Sequence, residues 1–179
     1  MPISSRADLW ETIAEEAAGE SRLWGEALRS FDEREREPIF SPLAEPRYAL
    51  GLETIYEGYL LHYGRPRLFA PGDRDTALLL GDYLYAHGLV RVAEVGTVEA
   101  VADLAALISL CAQLRAEEAD GDGPVWAATA ALLGEGELEP ARAALRDGEG
   151  SGPLLDLART AAGAEPVERA LAAHAGRVG

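Results

Sequence analysis

The chain has 179 residues, 48% of them hydrophobic, and carries 31 acidic against 16 basic side chains, a formal charge of −15. That length and composition describe one domain with a real core, or one domain with a small appendage, and exclude disorder as the default. The charge argues against nucleic acid and anionic membrane surfaces, which would repel it, and the single cysteine, Cys111, excludes an internal disulfide framework and a multi-cysteine metal site.

Ser4 or Ser5 is placed to cap a first helix with Leu9, Trp10, Ile13 and Ala17 on one stripe. The pattern resumes at Leu23, Trp24, Ala27, Leu28 and Phe31, so two helices or one bent helix fill this stretch. A charged run from Asp32 to Glu37 leads into a loop punctuated by Pro38, Pro42 and Pro46. The next helix, over 47–63, carries Leu52, Ile55, Tyr56, Tyr59 and Tyr63 at helical spacing and stops at Gly64, with Pro66 just beyond.

Pro71-Gly72-Asp73 makes a turn into a strongly apolar helix over 74–94 that closes at Gly96. Being apolar nearly all round, this helix is expected at the centre of the fold. At 100° per residue, Asp82 lies opposite His87 and Arg91, on a face shared with Leu78, Leu79, Ala86, Leu89 and Ala93. An aspartate there is expected to be buried with a partner or to face an internal cavity. Gly81 beside it lets another backbone come close. Thr97 then caps a helix with the stripe Val101, Leu104, Ile108 and Cys111, which makes Cys111 a core thiol.

The acidic stretch Glu117 to Gly123 reads as a boundary, dividing a core over 1–118 from a cap over 119–179. The cap holds four short Ala-rich segments near 124–133, 138–147, 153–162 and 165–175, with Pro124 and Pro153 at N1 positions. Nothing alternates with period two, so the fold class is all-α, a single-domain helical bundle.

The apolar runs are broken well short of the roughly 20 residues of a membrane span. The N-terminus has no apolar h-region, and the expected address is the cytoplasm. Every basic residue is Arg, with no Lys and no Asn, as the codon bias of a high-GC bacterial genome would produce. No lysine is therefore present for a Schiff base or a P-loop.

The string Leu80-Gly81-Asp82-Tyr83-Leu84-Tyr85-Ala86 resembles the Gly-Asp-aromatic-hydrophobic motif of the trans-isoprenyl (polyprenyl) diphosphate synthases. Gly64-Arg65-Pro66 stands 17 residues before Gly81, similar to that family's spacing, and Gly96 closes the motif helix; the resemblance covers roughly 47–118. It implies a shortened bundle of the isoprenoid-synthase type.

Such enzymes hold Mg²⁺ on two Asp-rich motifs to neutralise a diphosphate leaving group. The departures fall on that site. The first motif maps onto Glu53-Thr54-Ile55-Tyr56-Glu57, the paired arginines before the glycine map onto His62 and Tyr63, and the second motif has no substitute. Glu53 and Glu57, at i and i+4, are weak candidates for holding a cation, more often a solvated face or a remnant; no cofactor is expected beyond that Mg²⁺. His62, His87 and His174 share no ligand spacing and read as surface or helix-end histidines, and Trp10, Trp24 and Trp126 as packing residues.

The resemblance implies a non-catalytic isoprenoid-synthase-like protein, lacking a catalytic residue set, that acts as partner or regulatory subunit of a prenyl diphosphate synthase. In such heterodimers the smaller subunit lacks the Asp-rich motifs. An alternative is an apolar-ligand protein holding a polyprenyl or quinone tail in a tunnel lined by Asp82, Tyr56, Tyr59, Tyr83 and Tyr85, although core packing explains the tyrosines as well. A structural or assembly scaffold is a third reading, and a residual enzyme using Glu53, Glu57 and Asp82 around Mg²⁺ comes last. Contact with a protein partner or a second copy through the helical core is expected, with no nucleic acid and no membrane span.

Overall fold

The computed structural model describes the backbone of residues 6–178 and the side chains of residues 9–178; Ser4 and Ser5, expected to cap the first helix, lie outside the described residues. The described chain is all-α: α1 (Arg6–Glu20), α2 (Arg22–Ala27), α3 (Ala49–Tyr63), α4 (Arg74–Val95), α5 (Val98–Ala116), α6 (Asp122–Ala131), α7 (Glu139–Arg146), α8 (Gly152–Ala162) and α9 (Ala164–Val178). No strand occurs among the described residues, only an isolated antiparallel bridge between Leu28 and Phe69.

Local chemistry sets the boundaries. Ser21 splits the first stretch into two helices, its side chain accepting from the Leu23 N–H. The Asp73 and Thr97 side chains accept from the N–H groups of Thr76 and Ala100, satisfying donors that the first turns of α4 and α5 leave free. Gly64 and Gly96 end α3 and α4, their N–H groups bonded to the carbonyls of Leu60 and Val92.

The central helix is α3, buried continuously from Gly51 to Leu61. The expectation that 74–94 occupies the centre is corrected. Only Leu80, Gly81, Leu84, Gly88, Arg91 and Val92 of α4 are buried, while Leu79 and Val90 are more than half exposed. Apolar periodicity could not separate the two helices, because the glutamates that make α3 look amphipathic are neutralised inside the fold.

α3 and α4 run antiparallel and touch through two glycine pairs a heptad apart, Gly51 with Gly88 and Gly58 with Gly81. A Cβ on Gly51 would stand 2.5 Å from Val92 Cγ2 and 3.2 Å from the Gly88 carbonyl oxygen, and one on Gly58 would stand 2.9 Å from the Gly81 carbonyl oxygen. The helices therefore meet backbone to backbone at these glycines, with no side chain between them there.

Two apolar clusters flank this hairpin. Trp10, Ile13 and Ala17 of α1 pack with Leu61, Leu68, Phe69, Leu80 and Leu84 on one side. On the other, a larger cluster runs from Ile39 and Phe40 through Leu104, Leu107 and Trp126 to Ala158 and Ala170. It is continuous across residues 118 and 119. Helix α6 is buried from Val125 to Ala130, its alanines letting α8 and α9 come close.

Candidate functional site

On α3, one turn separates Glu53 from Glu57, so both carboxylates point the same way. The segment after Gly64 folds back and delivers Arg67 between them. Arg67 Nη1 lies 2.6 Å from Glu53 Oε2, and Arg67 Nε lies 3.0 Å from Glu57 Oε2. All three side chains are at most 1% exposed. Glu57 Oε1 accepts from the backbone N–H groups of Arg67 and Leu68 at 2.8 and 2.7 Å, and Glu53 Oε1 from that of Ser41 at 3.3 Å.

The guanidinium also donates to the carbonyls of Glu37 and Glu53 and lies 4.6 Å from the Trp10 ring centroid and 5.1 Å from that of Tyr56. Burial works to discharge Arg67, but the charges of Glu53 and Glu57 outweigh it and hold its pKa above the ordinary arginine value. The expectation of a solvated face or an open pair of ligands is thereby corrected: the cation between these carboxylates is Arg67. Among the described residues, no group of three His, Cys, Asp or Glu side chains is arranged to hold a metal ion.

Asp82 does not face an interior. Its side chain is 70% exposed on the outward side of α4, with Oδ1 3.1 Å from His62 Nε2. The His87 and Arg91 side, expected to be the outer one, is turned inward: Arg91 is buried and donates to Thr54 Oγ1 at 2.5 Å and to Glu16 at 2.5 Å. An arginine can be buried where carboxylate and hydroxyl partners await it, which a hydrophobicity pattern does not register.

The four candidate tyrosines divide. Tyr83 stacks on His87 beside Trp24, and Tyr85 stacks on His62 with ring centroids 5.1 Å apart. Tyr56 and Tyr59 meet, in a buried aromatic cluster with Phe40, Trp126 and His174. The α3–α4 seam, where an apolar tunnel was expected, is filled by the glycine contacts and by Ile55 and Val92.

The cluster's polar edge was not foreseen. Tyr56 Oη lies 2.9 Å from His174 Nδ1, and His174 Nε2 lies 3.3 Å from Asp122 Oδ2. Tyr59 donates to the same carboxylate oxygen, and Arg115 reaches both Tyr59 Oη, at 3.0 Å, and Asp122 Oδ2, at 2.5 Å. A carboxylate only accepts, so Nε2 carries the proton, and in the neutral ring Tyr56 donates to Nδ1. Burial raises the Asp122 pKa, but hydrogen bonds from His174 and Tyr59 and the charge of Arg115 outweigh it and hold the carboxyl well below the usual range. Burial pushes the Tyr56 and Tyr59 hydroxyls up, out of reach as bases at neutral pH.

His174, expected at a surface or helix end, is 3% exposed. Both its ring nitrogens are engaged, so this constellation clasps α9 to α3 and α6 and leaves no free general base. Asp122 sits in the acidic run read as a boundary, and its partners lie 7 to 63 residues away in sequence, so no local spacing could reveal it.

Two clefts adjoin the clasp, sharing Val178 as a wall. One, of about 430 Å³, is bordered by Arg115, Asp122, Leu171 and His174. The other, of about 480 Å³, is bordered by His62, Tyr63, Arg65, Arg74 and Arg177. Comparison of the chain with protein-family models, with curated proteins and with solved structures found no match to any of them.

Proposed function

We propose that this chain is a non-catalytic helical protein of the isoprenoid-synthase type, working as partner or regulatory subunit of a prenyl diphosphate synthase and docking through the outward face of α4. The observation that carries the reading is that face. Leu79, Ala86, Val90 and Ala93 lie exposed at helical spacing, joined by Val95 and Val98 at the α4–α5 corner. Asp82, which pairs with His62, and the exposed Asp75 and Glu94 flank the stripe. On a surface of net charge −15, a strip of apolar side chains is where another chain approaches with the least repulsion.

The non-catalytic half of the reading is supported by Arg67. Where the resemblance puts the Mg²⁺-binding acids, Glu53 and Glu57 are already neutralised and bonded to backbone. Releasing them to a cation would strand a buried guanidinium.

The test is to purify this chain with the trans-prenyl diphosphate synthase encoded by the same genome. Co-elution, a changed product length in the mixture, and loss of both with Val90→Glu are expected. Independent elution at micromolar concentrations with unchanged products would overturn the partner assignment.

A further inference from the structure

The arginines of this chain are outnumbered almost two to one by acids, and among the described residues nearly all of them pair with a carboxylate within 4 Å. The exceptions are Arg29, Arg65 and Arg74, and they are not scattered. Arg65 and Arg74 border the same 480 Å³ cleft, together with His62 and Arg177. Arg29 does not border it; its Nη2 lies 3.4 Å from the carbonyl oxygen of Pro66.

With acids in excess, unpaired arginines converging on one concavity mark a place where the positive charge is kept for something other than the chain's own carboxylates. Three neighbouring acids are engaged by groups other than Arg65 and Arg74. Glu35 is held by Arg177, Asp73 caps α4 through Thr76, and Asp82 lies against His62 without bordering the cleft. Burial lowers the His62 pKa despite Asp82, so this ring adds no charge near neutral pH. Glu35 pairs with Arg177 and its charge also reaches Arg65, but neither Arg65 nor Arg74 has a carboxylate within 4 Å, which leaves the hydrogen-bonding forks of these two guanidiniums open.

We infer that this cleft binds a dianionic phosphoryl group, held by Arg65 and Arg74 with Arg177 at its rim. Two guanidinium forks match both the charge of a phosphate near pH 7 and its paired oxygens, and Arg suits this geometry better than a point charge does. The volume exceeds that of a phosphate alone and falls among ordinary small-molecule sites, so the remainder of a phosphate ester fits beside Tyr63 and Val178. None of the three arginines occupies a position to which the resemblance assigns diphosphate chemistry, and the inference stands apart from the docking face on α4.

The test is calorimetric titration of the full chain with inorganic phosphate, phenyl phosphate and acetate at low salt. Saturable phosphate binding is expected, weakened about tenfold or more by Arg65→Gln or Arg74→Gln and lost in the double variant. Tighter binding of phenyl phosphate identifies an ester as the ligand class, and equal or weaker binding identifies free phosphate; both outcomes support the site. Both arginines are exposed and form no ion pair, so an unchanged melting temperature will show that the variants are folded. Absence of saturable phosphate binding, retention of it in the double variant, or equal affinity for acetate would each overturn the assignment.

Discussion

Arg67 and Glu53 form a salt bridge of 2.6 Å at full burial, between a helix and the segment that leaves it. Two carboxylates share the one guanidinium, and the surplus negative charge is spread over backbone N–H donors from Ser41, Arg67 and Leu68. This junction ties α1, the 37–41 segment, α3 and the 67–68 segment into one unit.

Arg67→Ala will destabilise the fold by about 3–5 kcal/mol, because it leaves two carboxylates buried without their cation. Urea unfolding measures the loss. The triple change Glu53→Gln, Glu57→Gln, Arg67→Met will recover a large part of it, since an uncharged set carries no unpaired charge. Millimolar Mg²⁺ will leave the melting temperature of the native protein unchanged; a rise would show that the carboxylates remain open to a cation.

Glycine at 88 is required by contact rather than by its dihedral angles. A Cβ there would enter the Ile55 side chain and stand 3.0 Å from the Gly51 carbonyl oxygen. Gly88→Ala will therefore cost about 1–3 kcal/mol through overpacking. At Gly19, in α1, an added Cβ meets nothing within 4 Å. Gly19→Ala will be neutral or stabilising by up to about 1 kcal/mol, through helix propensity. Denaturant midpoints of the two variants should move in opposite directions, or only the first should move.

Helix positions were legible in the sequence because caps and stops are local: Asp73, Thr97, Gly64 and Gly96 stand where the chain begins and ends its helices. Which helix is central was not. The decision rests on Arg67 neutralising Glu53 and Glu57 and on Glu16 and Thr54 receiving Arg91, contacts between residues 10 to 75 apart. A periodicity count treats each of those charges as solvent-facing. The same blindness turned Asp82 inward and hid the Tyr59–Asp122–His174 clasp, whose members have no common spacing.

That clasp makes stability depend on pH on the acid side. The Asp122 carboxyl is held below its ordinary value of 3.8 in the fold, so the unfolded chain binds more protons as pH falls through 3.8. The contribution is complete above that pH and is lost progressively as pH drops toward the folded value. Glu16 and Glu35, lowered by their own basic partners, add to the same slope from about their ordinary value of 4.5. Asp122→Asn will be less stable at neutral pH and will show a flatter fall between pH 4 and pH 2, read from denaturant midpoints across a pH series; an unchanged slope would remove Asp122 from the acid response.

Cys111 reports on opening of the core. Its side chain is 1% exposed, and burial pushes the thiol well above its usual pKa, with the charge of Asp122 adding to the effect. Both factors suppress the thiolate that reacts with alkylating reagents. Iodoacetamide labelling will be negligible in the native protein and will rise along the urea transition followed by circular dichroism. Labelling ahead of that transition would show that α5 separates from α6 before the rest of the fold yields.

The outward stripe of α4 separates folding from association. Leu79 and Val90 are 57% and 54% exposed, so replacing either by glutamate removes little buried area and changes stability by no more than about 0.5 kcal/mol. The same change puts a charge in the middle of an apolar strip on an acidic surface. If the strip is covered by another chain, each glutamate must be desolvated there without a partner, which costs several kcal/mol and a hundredfold or more in affinity, by rough conversion. Leu79→Glu and Val90→Glu will thus share the native melting curve while abolishing any complex seen by sedimentation. A third change, Leu23→Glu on α2, where the side chain is 42% exposed, is the control that should leave the complex intact. Equal loss of association in all three would show that added negative charge, rather than this face, governs the contact.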